Sequence, residues 1–391
     1  MPGFAVGLMS GTSADGIDAA LVYVDEALCP PIRVVDAMFR PFSEDERAQI
    51  FQAFDPACPG IIWAKLHREL GEWYASCVIE LLRQARVSPC NVRVIGCHGQ
   101  TMAHYPPLPD SEEFQGFTVQ LGDPAVIAAR TGIDVVHHFR QQDMAWGGQG
   151  APLVPYFDYR IWASRVEPRV VLNIGGIANV TILPKGAGID EVTAFDTGPG
   201  NMVLDALVEI GTQGRQHYDS EGSLAAQGRC SERLLKRWLS HPYFHLHGPK
   251  STGRERFGRQ YANQLWKDGL ALGLTFEDIL RTATALVAES ISRAVQHAIA
   301  EPCVLIVSGG GVHNRTLMRE LERRLSLLRP LETTDKYGIG GDMKEAVAFA
   351  FLAWQFCEGI PTSMPQITGA EERVVLGCWT PARPGRTIDC C

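Results

Sequence analysis

Apolar positions along this chain follow two periods, and stretches of each alternate. Short runs that are continuously apolar, or apolar at every second residue, give way to longer stretches at helical spacing. Phe4–Met9 and Ile17–Val24 predict two strands separated by Ser10-Gly11-Thr12-Ser13-Ala14-Asp15-Gly16, and Arg33–Phe39 predicts a third. Ile62, Leu66, Leu70, Trp73, Cys77 and Leu81 fall on one face of a long helix. Val92–Gly96 predicts a short buried strand that ends at Cys97-His98-Gly99-Gln100-Thr101. The middle of the chain repeats the opening, with strand Arg169–Ile174, turn Gly175-Gly176 and strand Ile177–Leu183. Helices follow over Met202–Ile210, after Thr275 as N-cap with Asp278 at the third helical position, after Asn314, and from Asp342 to Phe356. Cys303–Val307 supplies one more strand, and the Pro- and Gly-containing stretches near 105–110 and 360–369 predict exposed loops or crossings. Such alternation predicts an α/β chain, and the repeated strand–turn–strand opening points to two related domains facing one another.

Length and composition narrow the class. The 391 residues correspond to two or three domains, and 46% hydrophobic residues allow a sizeable core. A net charge of −8 gives no broad field to draw nucleic acid or an anionic membrane. No run approaches the ~20 apolar residues of a membrane span, and Met1–Ser13 lacks a signal core. The expectation is a cytoplasmic protein with no nucleic-acid or membrane partner. Eleven scattered cysteines without a CxxC pair predict reduced thiols, and Cys390-Cys391 does not fit a prenylation box.

Candidate chemistry gathers at glycine turns. The turn from Ser10 to Gly16 offers backbone N–H groups and hydroxyls to a phosphate, with Asp15 and Asp18 as carboxylates for Mg²⁺. An ordinary polar hairpin turn reads equally well. Gly248-Pro249-Lys250-Ser251 lacks the order of a P-loop, and Ser308-Gly309-Gly310-Gly311-Val312-His313-Asn314 lacks the third glycine of the dinucleotide fingerprint. The latter still sets bare backbone and a helix start beside a nucleotide. Phe195-Asp196-Thr197-Gly198-Pro199-Gly200-Asn201 places one acid beside a phosphate-sized cradle, where Asp196 serves as a proton acceptor or as a turn or N-cap residue. Gly147–Pro152 and Lys250–Glu255 look suited to polar contact. His137-His138 point to opposite faces of a strand, which disfavours a metal pair, and adjacency alone does not make Cys97-His98 a nucleophile and base. No GxSxG elbow is present.

Taken together, Gly7–Asp18, Gly96–Thr101, Gly147–Pro155, Asn173–Asn179, Asp196–Asn201, Pro249–Glu255 and Ser308–Asn314 resemble the anhydro-N-acetylmuramic acid kinase family, collinearly from about residue 5 to 380. The resemblance implies the actin-like, hexokinase-like ATPase fold: a duplicated ribonuclease H-like α/β architecture with mixed sheets and an interdomain cleft. The domains expected are 1–137 plus 366–391, carrying the first hairpin, and 138–365, carrying the second hairpin, the acid and the Ser308–Gly311 segment. It further implies an ATP- and Mg²⁺-dependent enzyme, expected to be a homodimer. That enzyme hydrolyses a 1,6-anhydro ring and phosphorylates the freed O6 to yield N-acetylmuramic acid 6-phosphate. By the same carry-over Asp196 activates water. Gly11, Thr12, Ser13, Ala14, Asp15, Gly16, Ile17 and Asp18 hold the ATP phosphates, with Gly175, Gly176, Gly198, Gly309, Gly310, Gly311 and Asn314 near the nucleotide. Thr101, Gln120, Arg140, Asp143 and Glu345 attend the sugar, and Asp15 and Asp18 the metal.

One stretch departs from the family. Its usual Asp-Phe-Arg-Arg-Arg-Asp stands here as His138-Phe139-Arg140-Gln141-Gln142-Asp143. Gln is a weaker carboxylate partner than Arg, and the muramyl sugar carries a carboxylate. Levoglucosan, an uncharged 1,6-anhydrosugar, is therefore the competing substrate. A nucleotide-binding regulatory protein without turnover is the competing class.

Overall fold

The computed structural model describes residues 1–391 apart from Thr12, Pro56, 108–115, His247, Pro249, Ala300, 326–330 and 383–391. Thr12, Pro249 and the Cys390-Cys391 tail thus lie outside the described residues. The chain divides into two compact units, Met1–Ile161 with Met343–Cys391, and Trp162–Asp342.

In the first unit β1 (Gly3–Ser10), β2 (Gly16–Val24) and β3 (Ile32–Pro41) form an antiparallel meander. β4 (Val92–Tyr105) lies parallel to β1 on its other side, and β6 (Val135–His137) lies parallel to β4. β5 (Phe117–Leu121) pairs with the far half of β4, and β12 (Cys378–Thr380) closes the edge beside β6. The strand order is β12-β6-β4-β1-β2-β3. β4 runs on through Cys97–Thr101, where the sequence predicts its end, because β1 pairs with it as far as Gln100 and β5 takes over from Gln100 to Tyr105, partners that apolar patterning cannot show.

Alternation along β1 sends Val6 and Leu8 into a core with Leu66, Leu70 and Tyr74 of the helix Gly60–Ala85. On the opposite face the helix Lys344–Cys357 lies directly on the backbone of β1 and β4. Gly7 and Gly96 are register partners there. A Cβ on Gly7 would stand 1.8 Å from Ala346 O, and one on Gly96 2.1 Å from Phe349 O. The two glycines form the platform on which this helix rests.

The second unit repeats the plan. β7 (Arg169–Ile174), β8 (Ile177–Leu183) and β9 (Thr193–Pro199) form the meander, with β10 (Val304–Ser308) and β11 (Glu332–Thr333) parallel beside β7. Its order is β11-β10-β7-β8-β9. Helices Asn201–Gly211 and Phe276–Ala298 bury their apolar faces against this sheet, the second capped by Thr275 Oγ1 accepting from Asp278 N. The shared order 3-2-1-4-5, a meander flanked by two parallel strands, is the ribonuclease H-like arrangement. Its duplication is the actin-like α/β fold.

The unit boundaries differ from those expected at 137/138 and 365/366. Residues 138–161 and 343–365 belong to the first unit, because the helix Lys344–Cys357 packs on β1 and β4 rather than on the second sheet.

Candidate active site

In the first unit the turn between β1 and β2 is closed by Ala14 N donating to Gly11 O at 3.1 Å. The Gln100 side chain reaches across from β4 and donates to Gly11 O at 3.0 Å, while Ser10 Oγ meets the Tyr74 hydroxyl at 2.5 Å. Ala14 is buried with a left-handed φ of 53°, and Ser13 and Asp15 face solvent. Asp15 pairs with Arg47 at 3.2 Å, with both side chains about half exposed, an arrangement of little energetic weight that a ligand readily displaces. Asp18 lies within β2 and is half-buried. Among the described residues no group of three or more His, Cys, Asp or Glu is placed to hold a metal. A magnesium ion carried on phosphates needs only one or two carboxylates, and Asp15 and Asp18 are the ones this hairpin carries.

Beside this turn the structure gathers Arg140, Asp143 and Glu345. Arg140 Nε donates to His98 Nε2 at 2.8 Å and its Nη1 to Gly150 O at 2.8 Å. Because His98 Nε2 accepts from Arg140, the ring is neutral with its proton on Nδ1, which donates to Gly99 O at 2.8 Å, and burial holds its pKa well below the usual histidine value. The fully buried Asp143 accepts from Gly150 N at 2.8 Å and from Thr368 Oγ1 at 2.8 Å, and its carbonyl takes Gly148 N. Two residues of one short helix, Phe139–Ala145, therefore fold the Gly147–Gly150 segment around themselves. Burial raises the Glu345 carboxyl, and the charge of Arg140 draws it back down. Thr101 and Gln120 also meet: Gln120 Nε2 donates to Thr101 Oγ1 at 3.3 Å and to Thr118 Oγ1 at 2.8 Å. Among the described residues the buried Oε1 atoms of Gln100, Gln120 and Gln141 have no hydrogen-bond partner. Buried amide oxygens are normally satisfied, so each of these three has room in its hydrogen bonding for one more donor.

In the second unit three glycine turns converge at the ends of β7, β9 and β10. Gly200 N donates to Gly176 O at 3.0 Å, Asn201 N to Gly175 O at 2.8 Å, and Asn201 Nδ2 to Ile174 O at 3.1 Å. Gly309, with φ of 83°, leaves room for only 2.6 Å between a Cβ and Asn173 Oδ1, and Gly310 lies near both Asn201 and Asp342. A left-handed residue with no space for a side chain must be glycine. Asn314 is N-cap of the helix Arg315–Arg324, its Oδ1 accepting from Leu317 N at 2.9 Å, so that oxygen is committed to the helix.

Asp196 occupies neither the turn nor the N-cap position that sequence allows: it is inside β9, and Gly200 is the N-cap. Its Oδ2 accepts from Thr252 N at 2.8 Å. Its backbone N donates to Lys250 O at 2.9 Å and its carbonyl accepts from the Tyr243 hydroxyl at 2.8 Å. Burial raises the carboxyl to about 6, with Glu255 adding to the rise and the Thr252 N–H and Lys250 opposing it. A carboxylate poised near neutrality with one oxygen uncommitted to Thr252 N is equipped to take a proton from water.

Sequence reasoning singles out the glycine turns and the acids as candidates. It missed His98 as the partner of Arg140, although the Gly96–Thr101 motif contains it, and it missed Tyr243, which carries no sequence signal.

A profile of the anhydro-N-acetylmuramic acid kinase family matches residues 3–382. The anhydro-N-acetylmuramic acid kinase of Caldanaerobacter subterraneus subsp. tengcongensis is 42% identical over 382 residues, covering 95% of each chain. That of Salinibacter ruber is 43% identical over 95% of this chain and 94% of its own. The component A of the Acidaminococcus fermentans (R)-2-hydroxyglutaryl-CoA dehydratase superposes with a TM-score of 0.47 at 12% identity, over 90% of this chain and 98% of that one. The fold assignment rests on the strand orders, not on that likeness.

Proposed function

Since the chain belongs to the anhydro-N-acetylmuramic acid kinase family, we propose that it opens 1,6-anhydro-N-acetylmuramic acid with water and phosphorylates the freed O6 from ATP. Membership sets aside the regulatory protein without turnover. Water attacks C1, its proton passes to Asp196, the C1–O6 bond breaks, and O6 takes the γ-phosphoryl group to leave ADP and N-acetylmuramic acid 6-phosphate. The observation that carries this reading is the half-buried Asp196 carboxyl, raised to about 6 and fixed by one oxygen to Thr252 N.

The turn Gly11–Asp18 takes the ATP phosphates, and the converged turns at Gly175–Gly176, Gly198 and Gly309–Gly311 receive the nucleotide. Magnesium, held by Asp15 or Asp18, would neutralise charge on the phosphate oxygens. Arg140, braced by His98 and Gly150 O, faces the sugar carboxylate, and Thr101, Gln120, Asp143 and Glu345 complete that side. No helix among the described residues is long and apolar enough to cross a membrane. A cytoplasmic homodimer acting in cell-wall sugar recycling fits the family reading.

The test is Asp196→Asn, which keeps volume and removes the base. General-base loss lowers kcat by about 10²–10⁴-fold with ATP affinity little changed. Product is followed as sugar phosphate from Mg-ATP with the muramyl sugar and with levoglucosan in parallel. Retention of most activity by the variant refutes the mechanism, and a strong preference for levoglucosan refutes the substrate alone.

A further inference from the structure

β9 is the outermost strand of its sheet, so one edge of its backbone has no neighbouring strand among the described residues. At Asp196 that edge is taken up by three residues lying 47 to 56 positions further on. Lys250 O accepts the Asp196 N–H at 2.9 Å, the Tyr243 hydroxyl donates to Asp196 O at 2.8 Å, and Thr252 N donates to Oδ2 at 2.8 Å. These contacts hold the backbone on either side of the Cα and one of the two carboxylate oxygens. They leave Oδ1 as the oxygen free of the Thr252 contact.

The strap is itself cross-braced. Lys250 Nζ folds back to donate to Tyr243 O at 3.2 Å and Leu246 O at 3.1 Å, and it lies 4.5 Å from the centre of the Tyr243 ring. The same residue that receives the Asp196 N–H thus ties down the residue that binds the Asp196 carbonyl. Tyr243 is buried, packed edge-on to Phe257 at 5.2 Å, which fixes the ring from its other side. The charged and titratable groups facing Asp196 from the packed elements are Lys250, Glu255 and Tyr243, with Arg256 5.0 Å from the Tyr243 ring centre.

We propose that Tyr243, Lys250 and Thr252 form a positioning strap for Asp196, and that Lys250 is the positioning residue that sets which carboxylate oxygen faces water. This rests on the reading of Asp196 as the base. Lys250 touches no reacting atom in this account. It acts by holding the strap closed and by placing a positive charge near the carboxylate, which favours the ionised form.

The experiment uses the full chain with Mg-ATP and the muramyl sugar, over pH 5 to 9, on wild type, Lys250→Met, Lys250→Arg, Tyr243→Phe, Glu255→Gln and Asp196→Asn. A misplacement of about 1 Å at a reacting group costs up to ~100-fold, so Lys250→Met is expected to lower kcat about ten- to a hundredfold. KM for ATP and sugar should stay within about twofold, and the acid limb of the profile should move to higher pH, because the opposing charge is gone. Lys250→Arg should recover most of the rate. Glu255→Gln should move the limb the other way, and Tyr243→Phe should lower kcat without the charge-driven shift. Thermal melting is recorded for each variant; if Lys250→Met does not fold, Tyr243→Phe and Glu255→Gln carry the test. An inactive Asp196→Asn together with a Lys250→Met rate within twofold of wild type and an unmoved limb overturns the inference. A loss not recovered by Arg and shared equally by kcat and KM overturns it too. An active Asp196→Asn instead overturns the base itself, which separates the two failures.

Discussion

Replacing Gly96 by Ala adds one methyl group where the helix Lys344–Cys357 rests on β4. The new Cβ would stand 2.1 Å from Phe349 O, 2.8 Å from Phe349 C and 2.9 Å from Ala353 Cβ. A carbon–oxygen contact needs about 3.2 Å, so the helix Lys344–Cys357 must retreat by about 1 Å. A gap of 0.5–1 Å forfeits roughly a quarter to a half of each dispersion contact, and this helix buries Phe349, Phe351, Leu352 and Trp354. Overpacking of this kind costs about 1–3 kcal/mol, and the atoms in the way are backbone, which cannot swing aside as a side chain does. The opposing gain, from a less flexible unfolded chain, is only about 0.4–1 kcal/mol. Overpacking wins by about 1 kcal/mol. For a unit of this size that lowers Tm by about 2–4 °C. Function should suffer with it, because the Phe349 ring lies 4.7 Å from the His98 ring, and His98 braces Arg140. We expect kcat/KM to fall more than about tenfold, with the sugar KM affected more than the ATP KM. Calorimetry and steady-state kinetics on the same preparation decide it. A Tm within about 1 °C of wild type with unchanged kinetics would refute the argument that this helix rests on a glycine platform.

Much of this architecture is legible in the sequence, for local reasons. The strands β1, β2, β7 and β8 announce themselves because they are mostly apolar and meet at glycine-bearing turns. Thr275 announces its helix because a cap is a matter of a few adjacent residues. What stays hidden is whatever depends on distant pairing. β4 outruns its apolar stretch because β1 pairs with it as far as Gln100 and β5 pairs with it from Gln100 to Tyr105, so polar residues such as Gln100 and His104 become strand residues through distant partners. The unit boundary is misread because residues 343–357 are remote from β1 in the chain yet lie on it. Asp196 reads as a turn residue because Thr-Gly-Pro-Gly follows it, but its edge position lets Lys250 and Tyr243 extend the strand environment past it. Gly7 and Gly96 illustrate the same division. Each is visible as a glycine, and nothing local says that the two are register partners beneath one helix.

Two further measurements bear on individual residues. Asn314→Ala removes the cap at Leu317 N and should cost about 1 kcal/mol of stability while leaving kcat unchanged; an ATP KM raised more than about tenfold would show that Asn314 serves the nucleotide as well as the helix. His104 supplies a pH test with a definite sign. Burial, helped by the charge of Arg140, lowers it from 6.5 to about 4, and its Nδ1 meets Thr118 Oγ1 at 3.1 Å. Between those values the unfolded chain binds a proton that the folded chain does not, so stability falls as pH drops below about 6.5 and is unaffected above it. At pH 5 the full shift corresponds to about 2 kcal/mol, and partial exposure of the ring reduces that to about 1–2 kcal/mol. Other groups titrate in the same range: Asp196, raised to about 6, gains stability on acidification and partly masks the loss in wild type. The comparison with His104→Gln removes that interference, since every other group is common to both proteins. Urea unfolding at pH 7.5 and 5.0 should show the variant gaining about 1–2 kcal/mol on wild type at the lower pH. A difference between the two proteins that does not change with pH would mean that His104 is not held neutral by its burial beside Arg140.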